Sequence, residues 1–132
     1  MAGTRVHAEL GVQKYKVDII ANGHALVADE PATLGGGDVG PSPFALVVSG
    51  LSACTLITLK MYAERKAWPL EGLSVDLALH GGTPRWRIER TVTARGALTE
   101  EQVARLREIV ERTPVTLALK DGFDIDTTLS GA

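Results

Sequence analysis

Apolar and polar residues alternate along the first part of the chain. Val6, Ala8 and Leu10 interleave with Arg5, His7 and Glu9, then Tyr15, Val17 and Ile19 with Lys14, Lys16 and Asp18. A period of two is the pattern of strands with one wet face. Asn22-Gly23 supplies two residues that tolerate positive φ, so a hairpin is predicted there, leading into a third strand over residues 24–29. Pro31, Gly35, Gly36, Gly37, Gly40, Pro41 and Pro43 then mark residues 30–43 as a loop. Ser42-Pro43 is a good helix start, a side-chain oxygen followed by a residue with φ preset. The predicted helix runs to about Lys66, with Arg65 and Lys66 at the negative end of its dipole and Trp68-Pro69 closing it. Apolar and small residues occupy every side from Phe44 to Leu59, so this helix is expected to be covered on most sides.

Strands return beyond it. Val75, Leu77 and Leu79 alternate with Ser74, Asp76 and His80, and Trp86, Ile88, Val92 and Ala94 form a second apolar face that Arg90 interrupts. Thr99 and Gln102 make a capping box for a second helix striped by Val103, Leu106, Ile109 and Val110. Thr113-Pro114 breaks it and starts a short third helix, and Ile125, Thr127 and Leu129 predict a last strand. Three strands, a buried helix, two strands, two helices and a strand give an α+β domain, taken as a single one over residues 1–132.

Charge narrows the function classes. The 132 residues are 45% hydrophobic and 23% charged, with formal net charge −2, which offers no basic footprint for nucleic acid. Residues 39–59 carry no charge and are the candidate membrane span. Gly40, Pro41 and Pro43 break its start, and the remainder is short against the about 20 apolar residues that a bilayer requires. The opening Met1-Ala2-Gly3-Thr4-Arg5 has no apolar core of a secretory signal. A core helix, no membrane partner and a cytoplasmic location are therefore expected.

Cys54 is the one cysteine, so an internal disulfide and a four-cysteine zinc site are excluded. A free cysteine is often a small core hydrophobe, and a reactive one needs an activating neighbour. The helical neighbours of Cys54 are Gly50, Leu51, Ile57 and Thr58, none a base or a counter-charge, so any activation must come from a contact distant in sequence. His7, His24 and His80 lack ligand spacing, and no metal or cofactor is expected. Gly35-Gly36-Gly37 lacks the fingerprint of a phosphate cradle and is read as serving the turn. A Cys-His-Asp site for acyl transfer stays open. Arg85, Arg87 and Arg90 straddle Trp86, but Glu89 interleaves them, so a solvated strand face is expected rather than an RNA surface.

Gly40-Pro41-Ser42-Pro43-Phe44-Ala45-Leu46 and Leu51-Ser52-Ala53-Cys54-Thr55 resemble the signature of the OsmC/Ohr family of hydroperoxide-reducing proteins, with Cys54 eleven residues after Pro43. Thr58-Leu59-Lys60-Met61-Tyr62-Ala63, Trp68-Pro69-Leu70-Glu71-Gly72, Ile88-Glu89-Arg90, Gly96-Ala97-Leu98-Thr99 and Thr113-Pro114-Val115 continue the match over nearly the whole chain. The resemblance implies an OsmC-like fold, antiparallel sheets around a long buried helix, in an intertwined homodimer with sites between subunits. It implies that Cys54 attacks a peroxide oxygen and becomes a sulfenic acid.

Two departures qualify what the resemblance carries over. The family's second cysteine belongs immediately before Pro114, where this chain has Thr113, a good helix cap that cannot form a disulfide. The family's glutamate belongs just after Pro43, where Phe44 and Ala45 carry no carboxylate, and its arginine is unassigned, Arg5 being the arginine of the N-terminal strands. Three readings follow: a one-cysteine hydroperoxide reductase with an external thiol reductant, a non-enzymatic protein binding an apolar small molecule at the dimer interface, or other thiol chemistry at Cys54 such as redox sensing or acyl transfer.

Overall fold

A computed structural model describes residues 3–131; Met1 and Ala2 of the leader reading lie outside the described residues. The chain divides into two compact units, Met1–Ser49 and Gly50–Ala132.

In the first unit, strands β1 (Val6–Leu10), β2 (Val17–Ala21) and β3 (His24–Ala28) form an antiparallel sheet in the order β1-β2-β3. The predicted hairpin turns at Asn22 and Gly23, whose φ of 46° and 86° are the pair that a two-residue hairpin of this hand requires. Val17 and Ile19 are half-buried, as their alternation predicts, whereas Tyr15, expected on the same face, lies before the strand at φ 70° and is exposed. The corresponding expectation for β1 is not met: this edge strand pairs with β2 alone and all five of its residues are exposed. The glycine run does serve the turn. Gly35 stands at φ 89°, and a Cβ on Gly36 would strike the Glu30 carbonyl. Asp29, 2% exposed, ties the loop together by accepting the N–H groups of Glu30 at 2.7 Å and Val39 at 3.3 Å.

Helix α1 spans Pro43–Arg65, and Ser42 Oγ caps it by accepting the Ala45 N–H at 3.3 Å. Arg65 ends it, and the chain turns at Ala67 with φ 57° before Pro69. By length and hydropathy its 23 residues are sufficient to cross a membrane, because the helix continues through Lys60 beyond the uncharged run. The expectation of cover on most sides fails within one chain: the buried residues Leu51, Thr55, Leu59 and Ala63 recur every fourth position as one stripe, while Ile57 and Met61 are 54% and 58% exposed.

In the second unit, β4 (Leu70–His80) and β5 (Arg87–Gly96) form an antiparallel ribbon. Val75 faces Val92, Leu77 faces Arg90 and Leu79 faces Ile88, so one face gathers the inward residues of both strands. Helix α2 (Glu100–Val110) opens on the predicted capping box, with both reciprocal bonds between Thr99 and Gln102 formed. Helix α3 (Pro114–Asp121) follows. Arg105 of α2 donates to the Tyr62 hydroxyl of α1 at 3.0 Å, and Trp68 stands edge-on to the Tyr62 ring. The predicted last strand is absent among the described residues. Ile125 and Leu129 alternate correctly but are 82% and 90% exposed, and a strand needs a partner that this segment does not find among the described residues.

Candidate functional site

Cys54 lies at mid-helix in α1 and is half-buried. Thr58, one turn on, places its Oγ1 3.8 Å from the sulfur. The contact from afar that the sequence left open is a backbone group: the Val115 N–H donates to Cys54 Sγ at 3.4 Å. Its origin lies in the cap of α3. Thr113 holds the N-cap position in extended backbone, φ −66° and ψ 149°, but makes no side-chain cap bond, contrary to the sequence expectation. Its hydroxyl pairs instead with that of Thr116. Pro114 has no N–H, so Val115 carries the first donor of the helix, one of the early N–H groups without an intrahelical acceptor. The sulfur accepts that donor, the role that an N-cap oxygen ordinarily fills. The thiol is thus held at the N-terminus of α3.

Arg90 corrects the reading of one solvated arginine face. Arg87 and Glu89 do lie outward, 3.2 Å apart, and Glu89 also bonds His80 at 2.8 Å. Strand parity turns Arg90 the other way, with its side chain 12% exposed. Its guanidinium donates to Thr55 Oγ1 and Thr116 Oγ1, each at 2.9 Å, and to the Val110 carbonyl at 3.0 Å. Thr55 is fully buried, and its own hydroxyl donates to the Leu51 carbonyl at 2.7 Å. Glu111 lies 3.9 Å from Arg90, at the exposed margin. Lys120, bonded to Glu111, holds that carboxyl below its usual range against partial burial, with Arg90 assisting. The stability this lends is small because the pair is exposed; it is present at neutral pH and lost as pH falls through the lowered value.

The other sequence candidates lie elsewhere. His7 pairs with Glu9 on β1, His24 is exposed at the start of β3, and Arg5 is exposed just before β1. Phe44 and Ala45 occupy the first turn of α1. Beside the cysteine helix, Leu56, Ile57 and Met61 of α1 and Leu70 and Leu73 of β4 line an open, mostly apolar groove of about 360 Å³. The Val115 donor could not be found from side-chain types, since it is backbone. Arg90 did leave a signal, a lone charge on an apolar strand face.

Comparison with curated protein sequences finds no match. Solved structures do share the fold. They include an OsmC-like protein from Mycoplasma pneumoniae, 20% identical with a TM-score of 0.76 over 90% of this chain and 88% of that one. An organic hydroperoxide resistance protein from Elizabethkingia anophelis, with thiocyanate bound, is 19% identical with a TM-score of 0.69 over 91% of this chain and 89% of that one. The organic hydroperoxide resistance protein OhrB of Bacillus subtilis is 20% identical with a TM-score of 0.62 over 90% of this chain and 91% of that one. Identities this low establish the α+β fold of antiparallel sheets and a long helix. The sequence profile of the OsmC-like proteins matches residues 35–128, from the glycine loop to beyond α3, and the chain belongs to that family.

Proposed function

We propose that this protein reduces organic hydroperoxides by a one-cysteine cycle at Cys54. The observation that carries the reading is the half-buried sulfur at the first free N–H of α3, in a chain of the OsmC family. Two structures of similar fold are named as organic hydroperoxide resistance proteins, which agrees with it. The Cys54 thiolate attacks the terminal peroxide oxygen, the O–O bond breaks, and the departing alkoxide takes a proton to leave as alcohol, with Cys54 now a sulfenic acid. Thr113 offers no thiol for an internal disulfide, so an external thiol attacks the sulfenic sulfur and releases water. A second thiol attacks the mixed disulfide and restores Cys54. Overall one hydroperoxide and two thiols become one alcohol, one disulfide and one water. The cycle is placed in the cytoplasm, where such thiols are kept reduced.

The test is intact-mass measurement of the reduced protein after brief exposure to cumene hydroperoxide with dimedone present. Fast, stoichiometric labelling of Cys54, well ahead of free cysteine, is expected. Labelling no faster than free cysteine overturns the reading. The mostly apolar groove between α1 and β4 then favours the second reading, a binding protein for an apolar small molecule, since its volume falls in the usual range of ligand sites.

The working form is proposed to be a homodimer. Ile57 and Met61 on α1, Val6 and Leu10 on β1, and Phe123, Ile125 and Leu129 near the C-terminus are all exposed apolar residues in the single chain. A second copy is the occupant that covers such surface in an intertwined pair. Light scattering at micromolar concentration is expected to give the mass of two chains; the mass of one chain would refute the dimer.

A further inference from the structure

Arg90 sits at an inward position of β5, between Ile88 and Val92, opposite Leu77 of β4. A guanidinium there is costly unless its N–H groups find acceptors. The acceptors come from three elements: Thr55 in α1, Val110 at the end of α2 and Thr116 in the first turn of α3. None of these bonds is needed for a helix to be helical, and what they fix is where the three helices stand relative to one another. Thr55 is the residue after Cys54, and Thr116 is the residue after Val115. One guanidinium nitrogen, Nη1, therefore grips both positions that immediately follow the sulfur and its donor. The α3 terminus has no ordinary side-chain cap, because the Thr113 hydroxyl turns to Thr116, so this grip stands in for the usual anchor.

We propose that Arg90 is the positioning residue of the thiol site, clamping Thr55 to Thr116 so that the Val115 N–H stays on the Cys54 sulfur. The proposal rests on the reading of Cys54 as the nucleophile. Arg90 acts through its neighbours: its four partners are Thr55, Thr116, Val110 and Glu111, and it needs no contact with the peroxide. When charge moves off the sulfur during attack and returns on reduction, the fixed N–H has not had to reorganise, which is the gain a rigid donor provides.

Thr116→Val removes one clamp acceptor at constant shape, Thr116→Ser retains it, and Arg90→Lys keeps the charge while losing the fork that bridges α1, α2 and α3. Two readouts are used. The first is amide hydrogen exchange at Val115, which reports the clamp whether or not Cys54 is reactive. Exchange about tenfold faster or more is expected in Thr116→Val and Arg90→Lys, with Thr116→Ser close to the unmodified protein. The second is the rate of sulfenic acid formation with cumene hydroperoxide, expected to fall by about tenfold or more in the same two variants and to hold in Thr116→Ser. Unchanged exchange at Val115 in Thr116→Val overturns the clamp, as does an equal loss in Thr116→Ser and Thr116→Val. Should Arg90→Lys fail to fold, the Thr116 pair carries the test. Slow oxidation of the unmodified protein would defeat the nucleophile reading alone, with the exchange data still deciding the clamp.

Discussion

Cys54→Ser is expected to abolish hydroperoxide consumption completely while leaving the fold in place. The loss is total because the chemistry has no other sulfur nucleophile: Cys54 is the one cysteine, and a serine hydroxyl neither ionises at neutral pH nor accepts an oxygen atom from a peroxide. The fold survives because of what the sulfur does for α3. It accepts the Val115 N–H in place of the side-chain cap that Thr113 does not provide. A serine oxygen can take over that acceptor role, whereas alanine cannot. Cys54→Ala is therefore expected to be less stable than Cys54→Ser by about 1 kcal/mol, the ordinary worth of a helix cap. Peroxide consumption by the purified protein with excess thiol, and urea midpoints for the two variants, check both halves. Turnover retained in Cys54→Ser would dispose of the mechanism, and equal midpoints for serine and alanine would dispose of the capping role.

The candidate site was legible in the sequence only in part. Cys54 was legible as a candidate through the resemblance of Gly40-Pro41-Ser42-Pro43 and of its spacing from Pro43 to the OsmC/Ohr signature. So were features whose causes are local. The Asn22-Gly23 turn follows from positive φ, the Thr99–Gln102 box from reciprocal hydrogen bonds, and the start of α1 from Ser42-Pro43. The partner of Cys54 was not legible, since a backbone N–H has no residue-type signature and lies 61 positions away. Thr113 does stand at the N-cap, but its hydroxyl bonds Thr116, which also accepts from Arg90, a contact distant in sequence that the local cap rule does not include.

Arg90 shows the middle case. Its interruption of the Ile88, Val92 and Ala94 face was visible, yet grouping it with Arg85 and Arg87 by proximity overrode strand parity, which sends neighbouring odd and even positions to opposite faces. The last strand failed on another ground. Alternation at Ile125, Thr127 and Leu129 describes which side chains share a face, but a strand exists only when its backbone is paired. The same holds for β1, whose period of two is correct and whose apolar side is exposed in one chain. Patterns report what a segment is suited to bury; they do not say whether its own chain supplies the cover.

Thr113→Cys is expected to convert the one-cysteine site into a two-cysteine one. Peroxide treatment should then lower the intact mass by about two daltons per chain, through a disulfide between Cys54 and the introduced thiol, instead of leaving a dimedone-reactive sulfenic acid. The cap geometry is the argument. An N-cap side chain ordinarily reaches the N–H at the second or third helical position, and here Cys54 Sγ already occupies that site on Val115. A thiol at position 113 thus starts from the residue whose side chain is built to reach the same N–H as the sulfur of Cys54. The substitution is also mild in volume at a position with no exposure, and it removes the Thr113–Thr116 bond while leaving Thr116 its bond from Arg90. With the resolving step now internal, dimedone labelling should fall several-fold at equal peroxide, and a small dithiol should become an efficient reductant. A variant that folds, still labels fully with dimedone and shows no mass loss would mean that residue 113 faces away from the sulfur. The one-cysteine cycle would then reflect the placement of α3, and not merely the absence of a second thiol.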